Sequence, residues 1–517
     1  MNPTMRMTLL VVWAILPSVA AGQIQQHPVA RFTVTVDFGK DRGQSFGSLF
    51  EARDERGRVV AGAGFVDVYN TRFRSDRHTL QFFVRPQKDS EKFSVQRLPH
   101  PDLDCGVYLF GLDGQLFTWS SVRNNSVRRW DAAMKKWKVA AAPKTGRIGS
   151  GDGVMRLGRG ILAFGNNRAA YNDRQILAPP ERGRYYNFYY AHGRLFFYHT
   201  YQSKSEGFTK VYACAWTPED KTPIDPADAA VLKTRYVGET PFAFGQFQGS
   251  VLTVSNQGGV YVFDGKNWDV LLKPDKRFSY QVYSMINYFD RLLLAQYPTG
   301  QLFEYRGKEL KLLKGWPPRL PGVSPSAREA QTLGIYRGDL FVGVWPWAEL
   351  WRFDGDARKW HSLGRMFSHP KITNKTVHPY EADAIKYRLV TNHWGQRITG
   401  MAPLGESLML STSSKGTYRW YSKYTFLSEK QRREYGAVLR LTMPGNLAAQ
   451  IQWKDRPIEL DFRIDSDRLE VRQDGKLLAS SRVTAGMAKH YATLTMNWGK
   501  GVFGRLNGKL LKKSSSR

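Results

Sequence analysis

Cysteine is nearly absent. Cys105 and Cys214 are the two thiols in 517 residues, so a disulfide-stapled scaffold is excluded. They fall on non-neighbouring copies of the repeat described below, too far apart for bridging geometry, and two buried free thiols are expected. Long apolar runs are missing too. Beyond the first residues none approaches the roughly 18 that a spanning helix needs, so no transmembrane anchor is expected. No long stretch keeps a helical period, which argues against helical bundles. Acidic residues are scarce, 45 Asp plus Glu against 76 Lys plus Arg, for a formal charge of +31. A field of one sign on that scale favours anionic partners through steering and counterion release. No phosphate-cradling glycine loop, nucleotide fingerprint or serine nucleophile elbow is present, so no nucleotide is expected. His369, His378 and His393 share one long connection, but their spacing matches no zinc pattern, and neither metal nor cofactor is expected.

What the chain does have is aromatic strands: 15 Trp, 25 Tyr and 29 Phe, a composition that suits β-structure. Stretches beginning at Gly114, Gly160, Gly193, Gly249, Asp290, Gly338 and Gly405 repeat one pattern. A Gly or Asp turn leads to a short apolar strand, a polar loop and an aromatic strand, often followed by a charged turn and a Trp. Gly249–Val254 running into Val260–Phe263, Asp264-Gly265 and Trp268 is the clearest copy. Strand repeats of roughly 40–50 residues mean a propeller or a solenoid. The uneven spacing and the lack of capping repeats favour a propeller of about seven blades, each a four-stranded antiparallel sheet.

The remaining segments bracket this array. Residues 1–22 read as an export leader, with Arg6 before an apolar core and Ser18-Val19-Ala20 as a small-residue cleavage pattern. A secreted or periplasmic protein follows from that reading. Residues 23–100 form an N-terminal β segment, with Phe32 to Phe38 alternating at the strand period and a charged, Pro-containing boundary from Pro86 to Asp104. The propeller occupies 101–430, and 431–517 forms a C-terminal β-sandwich segment. There Asp474-Gly475 and Asn507-Gly508 sit between strands as hairpin turns. The fold expected is all-β, a propeller plus a small β-sandwich formed by N- and/or C-terminal strands.

The blade wording, as in Phe353-Asp354-Gly355 with Trp360, resembles kelch repeats, although the Gly pair usual before the third strand occurs only as Gly258-Gly259. The tail, with its Asp-Gly-Lys and Asn-Gly-Lys turns, resembles laminin-G or concanavalin-like sandwiches over about 80 residues. Architecture and residue types are similar to secreted propeller polysaccharide lyases, with no motif that transfers positions. That resemblance implies His, Tyr and Arg as base, acid and carboxylate neutraliser. The Asp-box of sialidase-type propellers is absent, and no carboxylate pair stands out among Glu239, Asp275, Glu329 and Glu349 for glycoside hydrolysis.

In a propeller the loops entering each innermost strand share a face with those between the second and third strands. Reading the entering loops in order gives Arg147, Arg184, Arg235, Arg277, Arg328 and Arg397, several followed by aromatics. Arg123, Arg168, His199, Tyr201, Tyr297, Trp345, Trp347 and Lys415 come from the other loops. Arg147, Arg184, Tyr185, Arg235, Tyr236, Arg277 and Trp345 are the expected binding residues, because guanidinium groups pair with carboxylate or sulfate and rings stack on sugars. His199 or His393 is the candidate base, Tyr201 the acid, and Arg235 or Arg397 the neutraliser. The expected function is recognition of an anionic polysaccharide, uronic or sulfated, with or without β-elimination. The alternative is a non-catalytic extracellular scaffold for a protein partner.

Overall fold

The computed structural model describes residues 30–39, 47–70, 73–74, 78–86, 93–102, 105–106, 108–119, 127–140, 153–165, 167–415, 420–483 and 494–516. The leader expected over 1–22, Arg123 and Arg147 lie outside them. Strands dominate, and seven four-stranded antiparallel units follow one another in the chain. Their innermost strands are Tyr108–Leu112, Gly153–Leu157, Arg184–Ala191, Pro241–Phe247, Gln281–Asn287, Glu329–Tyr336 and Arg397–Leu404. Neighbouring innermost strands pack side by side around a ring from blade 3 to blade 7 and on through blades 1 and 2, and blades 2 and 3 meet through a shared core. This is a seven-bladed propeller. Among the described residues no helix is long and apolar enough to cross a membrane.

The repeat signal has a local cause. In four blades the first hairpin turns on two residues with positive φ: Asp113 (53°) and Gly114 (71°), His192 (51°) and Gly193 (67°), Gln248 (49°) and Gly249 (88°), Arg337 (53°) and Gly338 (73°). Two-residue hairpins need this left-handed geometry at both positions, which glycine supplies without a Cβ clash. The strands that follow carry the blade cores. Phe196, Phe244 and Phe263, for example, are buried between the third and fourth blades.

Two features depart from a linear reading of the repeats. The outermost strand of the seventh blade is Ser94–Arg97, pairing antiparallel with Val438–Thr442 from Ser94↔Thr442 to Arg97↔Leu439. The expected boundary between Pro86 and Asp104 therefore contains the strand that closes the ring. Val438–Thr442, within the expected C-terminal segment, is a propeller strand. The blade is thereby built from strands far apart in the chain, which fastens the ring shut.

The second departure is on the axis. Val68–Asn70 pairs antiparallel with the innermost strand of blade 5, at Asn70↔Ser284 and Val68↔Ile286. Phe73–Arg74 pairs with blade 1 at Arg74↔Phe110. This hairpin fuses the two blades into one ten-stranded sheet. Tyr69 packs edge-on to Tyr189 of blade 3 and Phe244 of blade 4. The Asn70 amide donates to the Gln331 carbonyl of blade 6 at 3.1 Å. The centre of the ring is filled by the chain itself.

The sandwich draws on both ends of the chain. One sheet runs Lys476–Arg482, Arg468–Gln473, Ile458–Ile464, Ala30–Asp37, Lys509–Ser516; the other runs Asn446–Gln450, Thr79–Val84, Val59–Phe65, Gly47–Arg53, Thr495–Trp498. Ala30–Asp37 alternates buried and half-buried, as its sequence period requires. Phe32, Phe50, Phe82 and Phe462 meet between the sheets, each such ring contributing about 1.5–3 kcal/mol by burial. Sandwich and propeller are joined by buried charges. Arg85 donates to Asp339 at 2.7 Å and Asp356 at 2.8 Å, and Arg352 also donates to Asp339, at 2.9 Å. Both cysteines are buried, Cys105 with the aromatics beside blade 7 and Cys214 in blade 3. Burial pushes the Cys214 thiol up to about 12.

Candidate ligand-binding face

The loops into innermost strands and the loops between second and third strands share one face. The arginines expected there do not form a uniform ring. Arg328 is buried and pairs with Glu349 at 3.1 Å. Arg397 is 1% exposed, donating to the Lys415 carbonyl and lying 3.5 Å from Glu329. Arg328 is spent within blade 6 and Arg397 on holding blade 7 to blade 6, so neither can neutralise a ligand from there. Arg277 is exposed but chelated by Asp275, whose carboxyl is drawn down to about 2 chiefly by that hydrogen bonding. Three of the four carboxylates considered for hydrolysis are likewise engaged on the buried side: Glu239 by the Tyr261 hydroxyl, Glu329 and Glu349 by arginine.

Arg184 and Arg235 remain at the surface, and both lie over tyrosines. The Arg184 guanidinium is 4.9 Å from the Tyr186 ring centroid, and Arg235 is 5.3 Å from Tyr236. Two cations that sequence reasoning passed over join them. Arg182 lies 5.1 Å over Tyr201, and Lys276 covers Tyr236 at 4.7 Å. Arg182 also pairs with Glu206. All four cations are exposed and the three rings are half-buried. The result is a track over blades 3 and 4 and the connection into blade 5. An exposed guanidinium over a ring still has N–H groups from which carboxylate or sulfate oxygens can accept hydrogen bonds.

The remaining expected binding residues are buried. Tyr185 packs against Phe197 and His199, and its hydroxyl is pushed up to about 12 by burial. Trp345 is 1% exposed, beneath Lys415 at 4.5 Å and beside His378 at 5.0 Å. Neither ring can reach a surface ligand. The reason is strand phase. Successive side chains of Arg184–Ala191 point to opposite faces, so Tyr185 is buried in the core shared with blade 2, whereas Tyr186 packs toward blade 4 and stays half-buried.

The candidate catalytic groups are split. His199 and Tyr201 lie on blade 3, whereas His393 and Arg397 lie at the entry to blade 7, on the other side of the ring. His199 Nε2 meets the Arg182 carbonyl at 2.8 Å, so that nitrogen carries the proton and Nδ1 holds the lone pair. Nδ1 is buried without a hydrogen-bond partner among Tyr185, Phe208 and Tyr212. Phe208 stands between His199 and Tyr201, contacting both. Burial lowers the His199 pKa and takes His393 down to about 4. These histidines are neutral packing groups rather than bases exposed to a substrate.

The long connection over residues 365–397 is ordered. It carries a short helix, Glu381–Lys386. His369 is held between the Tyr380 hydroxyl at 2.6 Å and the Gln431 carbonyl at 2.9 Å. Its residues form an aromatic core with the second-to-third-strand loop of blade 7, through Tyr387, Trp394, Tyr424 and Tyr435. Among the described residues no group of three metal-ligating side chains is present.

No family model matches the sequence, and no curated protein is significantly similar to it. Solved structures give distant likenesses. YCF48 bound to a D1 peptide aligns over 69% of this chain and 99% of its own, with 11% identity and a TM-score of 0.35. The Nup133 β-propeller domain of Vanderwaltozyma polyspora aligns over 69% of this chain and 100% of its own, with 9% identity and a TM-score of 0.29. At these scores the likenesses say nothing about what this chain binds.

Proposed function

We propose that the protein is an exported propeller that binds an anionic polysaccharide along the blade 3 to blade 4 track. The observation that carries this reading is the run of cation-over-tyrosine stacks, Arg182–Tyr201, Arg184–Tyr186 and Arg235–Tyr236–Lys276. It offers repeated positive edges next to flat apolar rings, which is what a chain of acidic sugars presents in complement. The filled ring centre directs a ligand across the blades rather than into a channel. The buried His199 lone pair and the separation of His393 from it support binding without cleavage.

Retention on immobilised alginate (uronate) and heparin (sulfated), read at several salt concentrations, tests this. Arg184→Gln with Arg235→Gln should weaken binding at least tenfold and reduce the salt slope by about 2. A sandwich double variant of equal charge change, Lys476→Gln with Lys509→Gln, should leave binding within twofold. Equal loss in both would reduce the track to bulk charge and sink the proposal. Absorbance of unsaturated uronate should stay flat. A rise abolished by His199→Ala would instead place β-elimination chemistry on blade 3.

A further inference from the structure

On the opposite face, the first hairpin turns of blades 3, 4 and 5 converge on the sandwich. Phe289 N donates to the Val502 carbonyl at 3.2 Å, and Gly504 sits so close to Asn287 and Phe289 that a Cβ there would lie 3.3 Å from each. Beside this contact is a cavity of about 190 Å³. Phe247, Phe289 and Leu506 supply its apolar wall, and Gln248, Asn287 and Asn507 supply amides. Asp290 and Arg505 complete the lining; both are exposed, so they stand at its mouth. Among the described residues neither makes an ion pair.

The wall is built from the first-hairpin turns of three blades. Gln248 and Phe289 hold positive φ of 49° and 53°, and His192, which also lines the cavity, holds 51°. Such positions are ordinarily taken by Gly, Asn or Asp, and side chains of this size cost about 1 kcal/mol or more there. Pockets at domain seams with an apolar wall and a few convergent polar groups are the usual form of small-molecule sites.

We propose that this seam cavity binds a small zwitterion with an apolar side group, an α-amino acid such as leucine or phenylalanine. Asp290 takes the ammonium, Arg505 takes the carboxylate as a two-pronged donor, and Phe247, Phe289 and Leu506 enclose the side chain. The site is independent of the polysaccharide track, which lies on the other face.

Calorimetric titration of the full chain with L-leucine and L-phenylalanine tests it. Saturable 1:1 binding with a Kd of 1 mM or tighter is expected. The N-acetyl and carboxamide derivatives should each bind at least tenfold more weakly, because each removes one charge. Asp290→Asn should weaken the free amino acid tenfold and leave the N-acetyl form unchanged, and Arg505→Gln should do the same for the carboxamide. Both side chains are exposed, so unfolding of these variants is not expected, and unchanged thermal midpoints would verify that. No saturable heat with either amino acid overturns the proposal. So does equal affinity for the blocked derivatives, which would leave an apolar seam void only. Arg184→Gln with Arg235→Gln should leave amino-acid binding intact, so failure here and failure of the polysaccharide reading are read separately.

Discussion

Acid should weaken this protein well above the pH at which carboxylates protonate, and His393 allows the size to be worked out. Its ring is 5% exposed and burial holds its pKa at about 4, against 6.5 for an open imidazole. The folded form is therefore neutral where the unfolded form is charged. A depressed folded pKa gives stability that is complete above about pH 6.5 and is lost as pH falls toward 4. Linkage gives about 2 kcal/mol lost between pH 7.5 and 5 from this residue, and about 3 kcal/mol once pH drops below both values. His100, His199, His369 and His378 are shifted the same way, with burial the largest cause in each, so their losses add over the same window. Glu51 and Asp356, whose pKa values burial raises, act in the opposite sense at the acid end. Urea unfolding at pH 7.5, 6.5, 5.5 and 5.0 measures the slope. His393→Gln cannot take up the proton, so its stability should fall about 2 kcal/mol less over that range than the parent's. Identical slopes for parent and variant would refute the reasoning.

Other perturbations follow from the same packing. Arg85→Met should cost about 3–5 kcal/mol, because it removes the arginine partner of the buried Asp356 and leaves Asp339 with Arg352 alone at hydrogen-bond distance; urea melts of parent and variant compare them directly. Leu294→Ala empties a fully buried site in blade 5 and should cost about 2–5 kcal/mol, measured by the same melts. Gly183→Ala places a Cβ 2.1 Å from the Thr200 carbonyl oxygen at a φ of 76°, and should lower the thermal midpoint by several degrees. Cys105 and Cys214 should resist a thiol reagent in the native protein and react fully in denaturant, seen as a colour change confined to the unfolded sample.

The propeller was legible because its hairpins are local. A turn at Gln248-Gly249 and the strands beside it lie within about a dozen residues, and the pattern recurs. The sandwich was legible from alternation in Phe32–Phe38 and Ile458–Ile464. The axial hairpin was not. Val68–Asn70 is three residues long and matches no repeat, and its partners are more than 200 residues away in Ser284 and Gln331. The closing strand Ser94–Arg97 is exposed along its length and so carries no alternation to read. For the site, residue type pointed to arginine and tyrosine, but strand phase decided between Tyr185 and Tyr186. Ion pairs took three of the six expected arginines: Arg397 with Glu329 across blades, Arg328 with Glu349 within blade 6, and Arg277 with Asp275 in its own loop.

The register of the sandwich also sets a timetable. Ala30–Asp37 lies between Ile458–Ile464 and Lys509–Ser516, and its contact from Arg31 to Asp461 spans 430 residues. A ribosome adding about 5–20 residues per second leaves the first strand without either neighbour for roughly 20–90 s. During that interval Phe32, Val34 and Val36, all fully buried at the end, have nothing to cover them. A strand with bare edges and an apolar face is an aggregation hazard. The nascent chain therefore needs a holding partner, or an unfolded passage across a membrane, until its last hundred residues arrive.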